Sequence, residues 1–304
     1  ASGGAFALLA KYVIEQGGIV YGVIYDKNLN VCHSRADNLK DLEKMYSSKY
    51  VQSNIKDTFK QAKQDSDNGK QVLFSGTPCQ IAGLKSYLIK DYENLITIDL
   101  VCHGTPSPLV FEKYKKEISR KFGNIKNINF RSKIKGWNPY YLTIQTDNNI
   151  IDIPSKDSVY MKLFLNDLST NKSCSNCQFN KLPRVADITL GDFWGVNQYK
   201  QELNNNKGLS VVLANNIKGQ NLCQQICKDC IFEEVPLDIV IKYNKNIVAS
   251  SSLNPKRIEF FSAILKKKNL KSCVKKFIKG EKLYMKIYKL LPKPVKNVIK
   301  SLIG

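Results

Sequence analysis

The stretch Gln71-Val72-Leu73-Phe74-Ser75-Gly76-Thr77-Pro78-Cys79 decides the fold. A compact apolar strand runs into a sharp glycine turn, and Gln80 to Lys90 returns as a helix. Leu95 to Val101 repeats the apolar strand, Cys102-His103-Gly104 repeats the turn, and Ser107 to Lys121 repeats the helix. Strand, glycine turn and helix in tandem form the βαβ pattern of a parallel sheet. Ligands of such sheets sit beyond the carboxyl ends of the strands. Cys79 and Cys102 both stand at that edge, whereas inert cysteines are more often buried inside elements.

Two more thiols come from a polar loop, Cys174-Ser175-Asn176-Cys177. Their spacing lets both sulfurs point at one metal or cluster. The pair alone is weak evidence, because zinc knuckles, redox dithiols and iron–sulfur sites share it. Together with Cys79 and Cys102 it makes four thiolates that can converge, the count for a 4Fe–4S cluster or a structural zinc. The loop leads into a short apolar strand, Ile188 to Leu190. That strand ends in Gly191-Asp192, a turn able to bring backbone and one carboxylate close to a ligand. His103 reads as a hydrogen-bonded turn residue. With two histidines in the chain, a His-rich metal site is excluded.

Outward from this centre, Ser2-Gly3-Gly4 opens a helix carrying Phe6, Leu8, Leu9, Tyr12 and Val13. Small residues there leave backbone N–H groups free to meet an anion, helped by the helix dipole; a plain N-cap is the alternative. Ile19 to Tyr25 and Val31 to Ala36 read as strands, and Leu39 to Tyr46 as a helix. Ser47 to Ser53 is a polar loop with one cation, Lys49, and one aromatic, Tyr50. Ile125 to Arg131, Tyr140 to Gln145 and Ile150 to Ile153 are further strands, the last two a hairpin over Asp147-Asn148-Asn149. Asp157 to Leu168 reads as the helix that delivers the chain to Cys174. Leu209 to Asn215 is a strand and Lys218 to Asp229 a helix. Cys223, Cys227 and Cys230 have the spacing of the cluster loop of radical S-adenosylmethionine enzymes. On a helix they form one stripe with Leu222 and Ile226 beside it, so they read as core-facing thiols.

The chain has 304 residues, a net charge of +21 and nine cysteines. An odd cysteine count without a secretory signal argues against a disulfide framework and for a reducing compartment. No apolar run reaches the roughly 18 to 20 residues of a membrane span. Residues 256–304 hold fifteen Lys and Arg against two acids, so thirteen of the net positive charges lie there. Their apolar residues recur at helical spacing, which suits an anionic membrane surface or an acidic partner. Nucleic acid is not expected, since the tail lacks a reading module.

Five blocks carry a resemblance. They are Ser2 to Phe6, Ser48-Lys49-Tyr50-Val51-Gln52-Ser53, Phe74 to Gly83, Val101-Cys102-His103-Gly104 and Asp187 to Asp192. In this order they resemble the beta subunit family of coenzyme F420 hydrogenases and dehydrogenases. The resemblance implies an iron–sulfur flavoprotein that binds FAD and passes electrons between a 4Fe–4S cluster and a flavin or deazaflavin. Carried onto this chain, it implies that Ser2, Gly3, Gly4, Ser48, Lys49, Tyr50, Gln52, Gly76, Thr77, Pro78, Gln80 and Asp192 surround the flavin. Cys79, Cys102, Cys174 and Cys177 would hold the cluster. Family members commonly carry a ferredoxin-like module ahead of the first block. Here that module would be a separate electron partner or lie on a missing segment. The part after Gly195 resembles a branch linked with surface polysaccharide synthesis.

The expected fold is α/β, with a mixed sheet of βαβ units, a cysteine loop inserted late and a basic helical C-terminal tail. Four parts are expected: a flavin-contacting domain at 1–69, a domain with the iron–sulfur site at 70–200, an α/β extension at 201–255 and the tail at 256–304. The expected activity is that of a cytoplasmic oxidoreductase, peripheral to a membrane if the tail binds lipid. Its rivals are a non-catalytic electron-transfer subunit and a zinc-stapled binding protein.

Overall fold

The structure, a computed structural model, describes residues 4–278 and Pro292. Its centre is a six-stranded sheet in the order β2-β1-β3-β4-β8-β9. The strands are β1 (Ile19–Tyr25), β2 (Val31–Ala36), β3 (Val72–Gly76), β4 (Leu95–Leu100), β8 (Ile188–Asp192) and β9 (Ser210–Ala214). β1, β3, β4 and β8 run parallel, and the two edge strands run antiparallel to their neighbours. β3 is buried along its whole length, as a central strand covered on both faces must be.

Helices cover both faces. α1 (Ala5–Glu15) buries Ala5, Leu9, Ala10 and Val13, one stripe at helical spacing. It shares a core with Leu222 and Ile226 of α8 (Ile217–Ile226) and with the short α2 (Leu39–Glu43). α3 (Thr58–Asp67) and α4 (Pro78–Leu88) pack on the opposite face around Tyr21, Phe74 and Ile81. Sequence reasoning leaves α3 unassigned. Its segment is mostly polar, and Thr58, Ala62 and Ser66 are the residues it buries.

Between β4 and β8 the chain leaves the sheet. α5 (Pro108–Phe122) leads into a separate antiparallel sheet of β5 (Ile125–Ser132), β6 (Tyr141–Thr146) and β7 (Ile150–Pro154). α6 (Val159–Leu165) follows, and then the cysteine loop, a 3-10 turn over Lys172–Asn176. This excursion returns to β8, which pairs Ile98 with Ile188 and Leu100 with Leu190. Two short helices, α7 (Val196–Tyr199) and α9 (Leu237–Tyr243), flank a smaller core around Trp137, Phe193 and Ile247.

Two expectations about the C-terminal part change. β9 pairs with β8 over five residue pairs, so the central sheet crosses the expected boundary at residue 200. The start of the expected tail is folded into the body. α10 (Arg257–Leu265) and α11 (Leu270–Phe277) bury Phe260, Ala263, Ile264, Leu270, Cys273 and Phe277 in one core with Phe130 and Tyr160. The Leu270 amide also donates to the Glu117 carboxylate of α5 at 3.0 Å. These apolar residues have a partner within the fold, so they are not available to a bilayer. The rest of the expected tail, 279–304, lies outside the described residues apart from Pro292.

The packing makes a prediction about length. Burying each Leu, Ile or Phe stabilises by about 1.5–3 kcal/mol, against a total stability of about 5–15 kcal/mol. A chain ending after Pro255 should therefore lose its cooperative unfolding transition, while one ending after Ile278 should keep it. Thermal unfolding of the two chains is the check, and a sharp transition in the shorter one would contradict the packing.

Candidate functional site

All four parallel strands deliver their carboxyl ends to one edge. Gly76 ends β3, Cys102 stands two residues beyond β4, and Asp192 ends β8. The α1–β1 connection also puts the amino end of α1 at this edge. Gly4 caps that helix with φ +89°, and no side chain caps its first turn. Ser2 and Gly3 lie outside the described residues.

The four expected cysteines come to this edge on three segments, with Cys102 in electrostatic reach of the other three. Cys79 is exposed at the first turn of α4, with its Sγ 3.2 Å from Thr77 Oγ1. Cys102 is half-buried. Burial pushes its thiol up to about 12, and Cys174, Cys79 and Cys177 each lie close enough to push it in the same direction. Asn180 ties two of the segments: its Nδ2 donates to the Cys102 carbonyl at 3.0 Å, and its Oδ1 accepts from Cys177 Sγ at 3.7 Å. Ser250 Oγ accepts from the Cys177 amide at 3.0 Å.

Gly104 lets the strand end and the cysteine loop touch. Its φ is +138°, and a Cβ there would stand 2.5 Å from Thr170 Cγ2 and 3.2 Å from Cys174 Cβ. Among the described residues, no three His, Cys, Asp or Glu side chains are close enough together for a single metal ion. The thiols are neighbours at a looser spacing.

Behind the cysteines, Arg184 is a buried staple. Its Nη2 donates to Asp99 Oδ2 at 3.0 Å and to the Leu100 carbonyl at 3.2 Å. Its Nη1 donates to the carbonyls of Phe179 and Ile247. One guanidinium thus joins β4, the cysteine loop and the segment after α9. Burial raises the Asp99 carboxyl and Arg184 opposes that rise. Asp167 lies 2.9 Å from His103 Nε2, but Nε2 makes no well-formed hydrogen bond among the described residues, and the ring meets Phe164 edge-on.

The expected flavin-contacting residues form a second group beside the first. The Thr77 amide donates to Gln80 Oε1 at 3.0 Å, and Gln80 Nε2 donates to Ser53 Oγ at 2.9 Å. Pro78 occupies the first position of α4, where no amide hydrogen is needed. Ser53 Oγ is 3.1 Å from Nδ1 of His33, whose Nε2 is 3.0 Å from the Ser75 carbonyl. A carbonyl only accepts, so Nε2 carries the proton, Nδ1 accepts from Ser53, and the network has a single consistent direction. Sequence reasoning missed His33, since nothing local marks a strand histidine as part of a turn 42 residues away.

His33 is buried, and desolvation pushes its pKa down to about 4. The unfolded chain therefore takes up this proton near pH 6.5 while the folded chain does not. Stability from this group is complete above about pH 6.5 and falls by roughly 3 kcal/mol as the pH drops towards about 4. Urea titrations of the protein and of His33→Phe between about pH 4 and 7 should diverge by that amount. Parallel curves would count against a neutral His33.

The loop between α2 and α3 links the two groups. Asn171 Nδ2 donates to Gln52 Oε1 at 2.7 Å and to Thr105 Oγ1 at 3.2 Å, and Thr105 Oγ1 is 3.8 Å from Cys174 Sγ. Ser48 and Lys49 are half-buried on this loop. The Lys49 ammonium donates to the carbonyls of Tyr46 and Ser47 and lies over the Tyr25 ring. No carboxylate pairs with it among the described residues, and burial pulls its pKa down to about 8. The Tyr50 ring packs on Phe130 and Phe164.

Asp192 pairs with Arg131 of β5 at 2.6 Å. Burial raises its carboxyl and Arg131 opposes that rise. Asp187, in the same sequence block, plays a different part. Its Oδ2 accepts from the Thr97 amide and hydroxyl at 2.6 and 2.7 Å, which fastens β8 to β4. Sequence reasoning also passed over Arg131 and Trp194, which no local motif singles out.

Two other features stand apart. Cys227 and Cys230 donate to the carbonyls of Cys223 and Ile226, four residues back, as helix-stripe thiols do. Cys223 packs, half-buried, against the core that holds Leu222 and Ile226, as expected, whereas Cys227 and Cys230 are half-buried outside that core. A cavity of about 520 Å³ is lined by Arg35, Gln61, Gln64, Asp65, Asp67 and Asn68. It lies towards the opposite edge of the sheet, where Arg35 pairs with Tyr21 near the start of β1.

A mixed α/β sheet gathers thiols and cations near the carboxyl ends of its parallel strands. Residues 69–239, more than half of the chain, match the family described as the C terminus of the beta subunit of coenzyme F420 hydrogenase/dehydrogenase, and the chain belongs to that family. Its fold is similar to a chain of the F420-reducing [NiFe] hydrogenase complex from Methanosarcina barkeri, solved as a xenon derivative. Identity is 18%, covering 81% of this chain and 82% of that one, with a TM-score of 0.52. No curated protein matches the sequence. No helix among the described residues is long and apolar enough to cross a membrane.

Proposed function

We propose that the protein is an iron–sulfur flavoprotein that passes electrons between a 4Fe–4S cluster, FAD and a small flavin-like acceptor. The observation that carries this reading is the meeting of Cys79, Cys102, Cys174 and Cys177 at the carboxyl edge of the parallel strands. A cluster of four irons spreads its ligands more widely than one ion does, which suits thiols that are neighbours without closing on a single point. Ligation deprotonates them, so Cys102 would release a proton when the cluster enters.

FAD fits the adjoining group. Its pyrophosphate needs cations and free N–H groups. Lys49 is a half-buried cation that no carboxylate pairs with among the described residues, and the uncapped first turn of α1 lies at the same edge. The Thr77–Gln80–Ser53–His33 network holds the β3 turn rigid. A flavin exchanges electrons in pairs and a cluster exchanges them singly, so placing the two together lets the protein connect both kinds of partner. A ferredoxin-like protein or module would be the natural single-electron partner. A place in surface polysaccharide synthesis rests on the resemblance after Gly195 alone, and attachment to an anionic membrane would fall to residues 279–304.

Flavin retention tests the assignment of Lys49. Lys49→Glu should lower FAD content after anaerobic purification at least tenfold. Lys63→Glu should not, since Lys63 is exposed on α3 and pairs with Asp67. Equal FAD in the two variants would remove Lys49 from the site. Reduction of coenzyme F420 or free FAD by the loaded protein then separates an enzyme from an electron-transfer subunit.

A further inference from the structure

Arg131, near the end of β5, has a side chain 1% exposed, and its partners do not fill its donors. Nη2 donates to Asp192 at 2.6 Å. The guanidinium carbon lies 4.0 Å from the centre of the Tyr140 ring and 5.2 Å from that of Trp194. Nε and Nη1 are buried and, among the described residues, make no well-formed hydrogen bond; the Tyr140 side chain, whose ring lies against the guanidinium, offers a weak contact. A guanidinium keeps its charge at any working pH, and its N–H bonds lie in its own plane. Aromatic rings offer those donors at most a weak contact. Two idle donors on a buried cation are costly unless a ligand supplies acceptors.

The surroundings narrow what that ligand is. Trp194 is 42% exposed and stacks on the buried Trp137, with ring centres 5.0 Å apart, which gives the site a planar wall reaching solvent. The site is also close to the thiols. The Val101 amide donates to the Leu190 carbonyl, so Cys102 follows directly where β8 leads into Asp192. Tyr50, whose phenol senses the charges of Arg131 and Asp192, packs on Phe164, which meets His103. Lys133 adds a second cation within electrostatic reach of both Arg131 and Asp192.

We propose that Arg131 receives the electron-rich N1–C2=O edge of a flavin-type ring, held by Asp192 and walled by Tyr140 and Trp194. This rests on the reading above that a flavin binds at this edge. Two electrons from a ferredoxin-like donor, delivered singly through the cluster, with one proton from solvent, leave negative charge on that edge of FAD; a deazaflavin gains the same charge when the reduced FAD passes it a hydride and is itself reoxidised. A fixed guanidinium there binds the reduced ring better than the oxidised one and so favours its reduction. The ring could belong to resident FAD or to a diffusing deazaflavin, since the edge has the same chemistry in both.

The test uses the full chain loaded with cluster and FAD. The FAD midpoint potential and the affinity of the loaded protein for coenzyme F420 are measured in wild type, Arg131→Gln and Arg131→Lys. In Arg131→Gln the reduced ring should lose about tenfold more affinity than the oxidised one. That places the midpoint about 30 mV lower for a two-electron couple. Arg131→Lys keeps the charge and should fall between the two. A shift in the FAD midpoint assigns the edge to the resident flavin, and a change confined to coenzyme F420 affinity assigns it to the substrate. If neither quantity moves, Arg131 is a structural cation and the proposal fails. If Arg131→Gln does not fold, Arg131→Lys decides by the same two readings. A wild-type protein that binds no flavin would overturn the function itself, a different outcome from flavin bound without regard to Arg131.

Discussion

Replacing any one of Cys79, Cys102, Cys174 or Cys177 by Ser should abolish or convert the cluster. Replacing Cys223, Cys227 or Cys230 should leave it intact. The first four thiols reach one edge of the sheet from three segments, and Cys102 feels the other three. The second three belong to the stripe of α8 and the turn after it, with two of them occupied by helix carbonyls. A serine oxygen is a poor substitute for a thiolate on iron. Iron per chain in anaerobically purified variants should fall by more than half in the first set and stay at the wild-type level in the second. The opposite pattern would place the metal at α8.

A comparable loss, of stability rather than of cofactor, is expected at Arg184. Its guanidinium and the Asp99 carboxylate are both fully buried and pair at 3.0 Å. Removing one partner of such a pair leaves an uncompensated charge in the interior, which costs about 3–5 kcal/mol. Arg184→Met should therefore lower the urea midpoint strongly and release the carbonyls of Phe179 and Ile247 that hold the cysteine loop. Arg184→Met combined with Asp99→Leu should recover much of the stability, since an apolar pair often replaces a buried ion pair at little cost. The cysteine loop would still lack its staple, so iron content should stay low in the double variant. A single-variant loss below about 1 kcal/mol would show that the pair is not what fastens β4 to the loop.

The parts of this architecture that are local in sequence could be read from the sequence. β3, β4 and their helices announce themselves because each apolar run is followed at once by a glycine turn and a helix. The hairpin of β6 and β7 is visible because two strand-like runs flank the polar turn Asp147-Asn148-Asn149. The position of β8 beside β4 was not legible. The pairing of Leu100 with Leu190 spans a whole second sheet, and no short pattern encodes it. α3 escaped because its polar surface hides the period that marks a helix. In the candidate site, cysteines and glycine turns could be found because their spacing is chemical. Arg131, His33 and Trp194 could not, because each acts through residues far away in the chain. The basic C-terminal part misled for a physical reason as well. Lys266, Lys267 and Lys268 after α10 and Lys271, Lys275 and Lys276 of α11 are exposed and look like a membrane-binding face, while Phe260, Leu270 and Phe277 are already buried against the protein itself.

The central claim is that the four strand-end thiols hold an iron–sulfur cluster beside a flavin. The most direct measurement is metal, sulfide and flavin content with the visible spectrum of the anaerobically purified full chain, before and after chemical reduction. The account predicts about four irons and about four sulfides per chain, a brown protein whose absorbance bleaches on reduction, and one flavin released on denaturation. A colourless protein containing a single zinc ion and no flavin would contradict it.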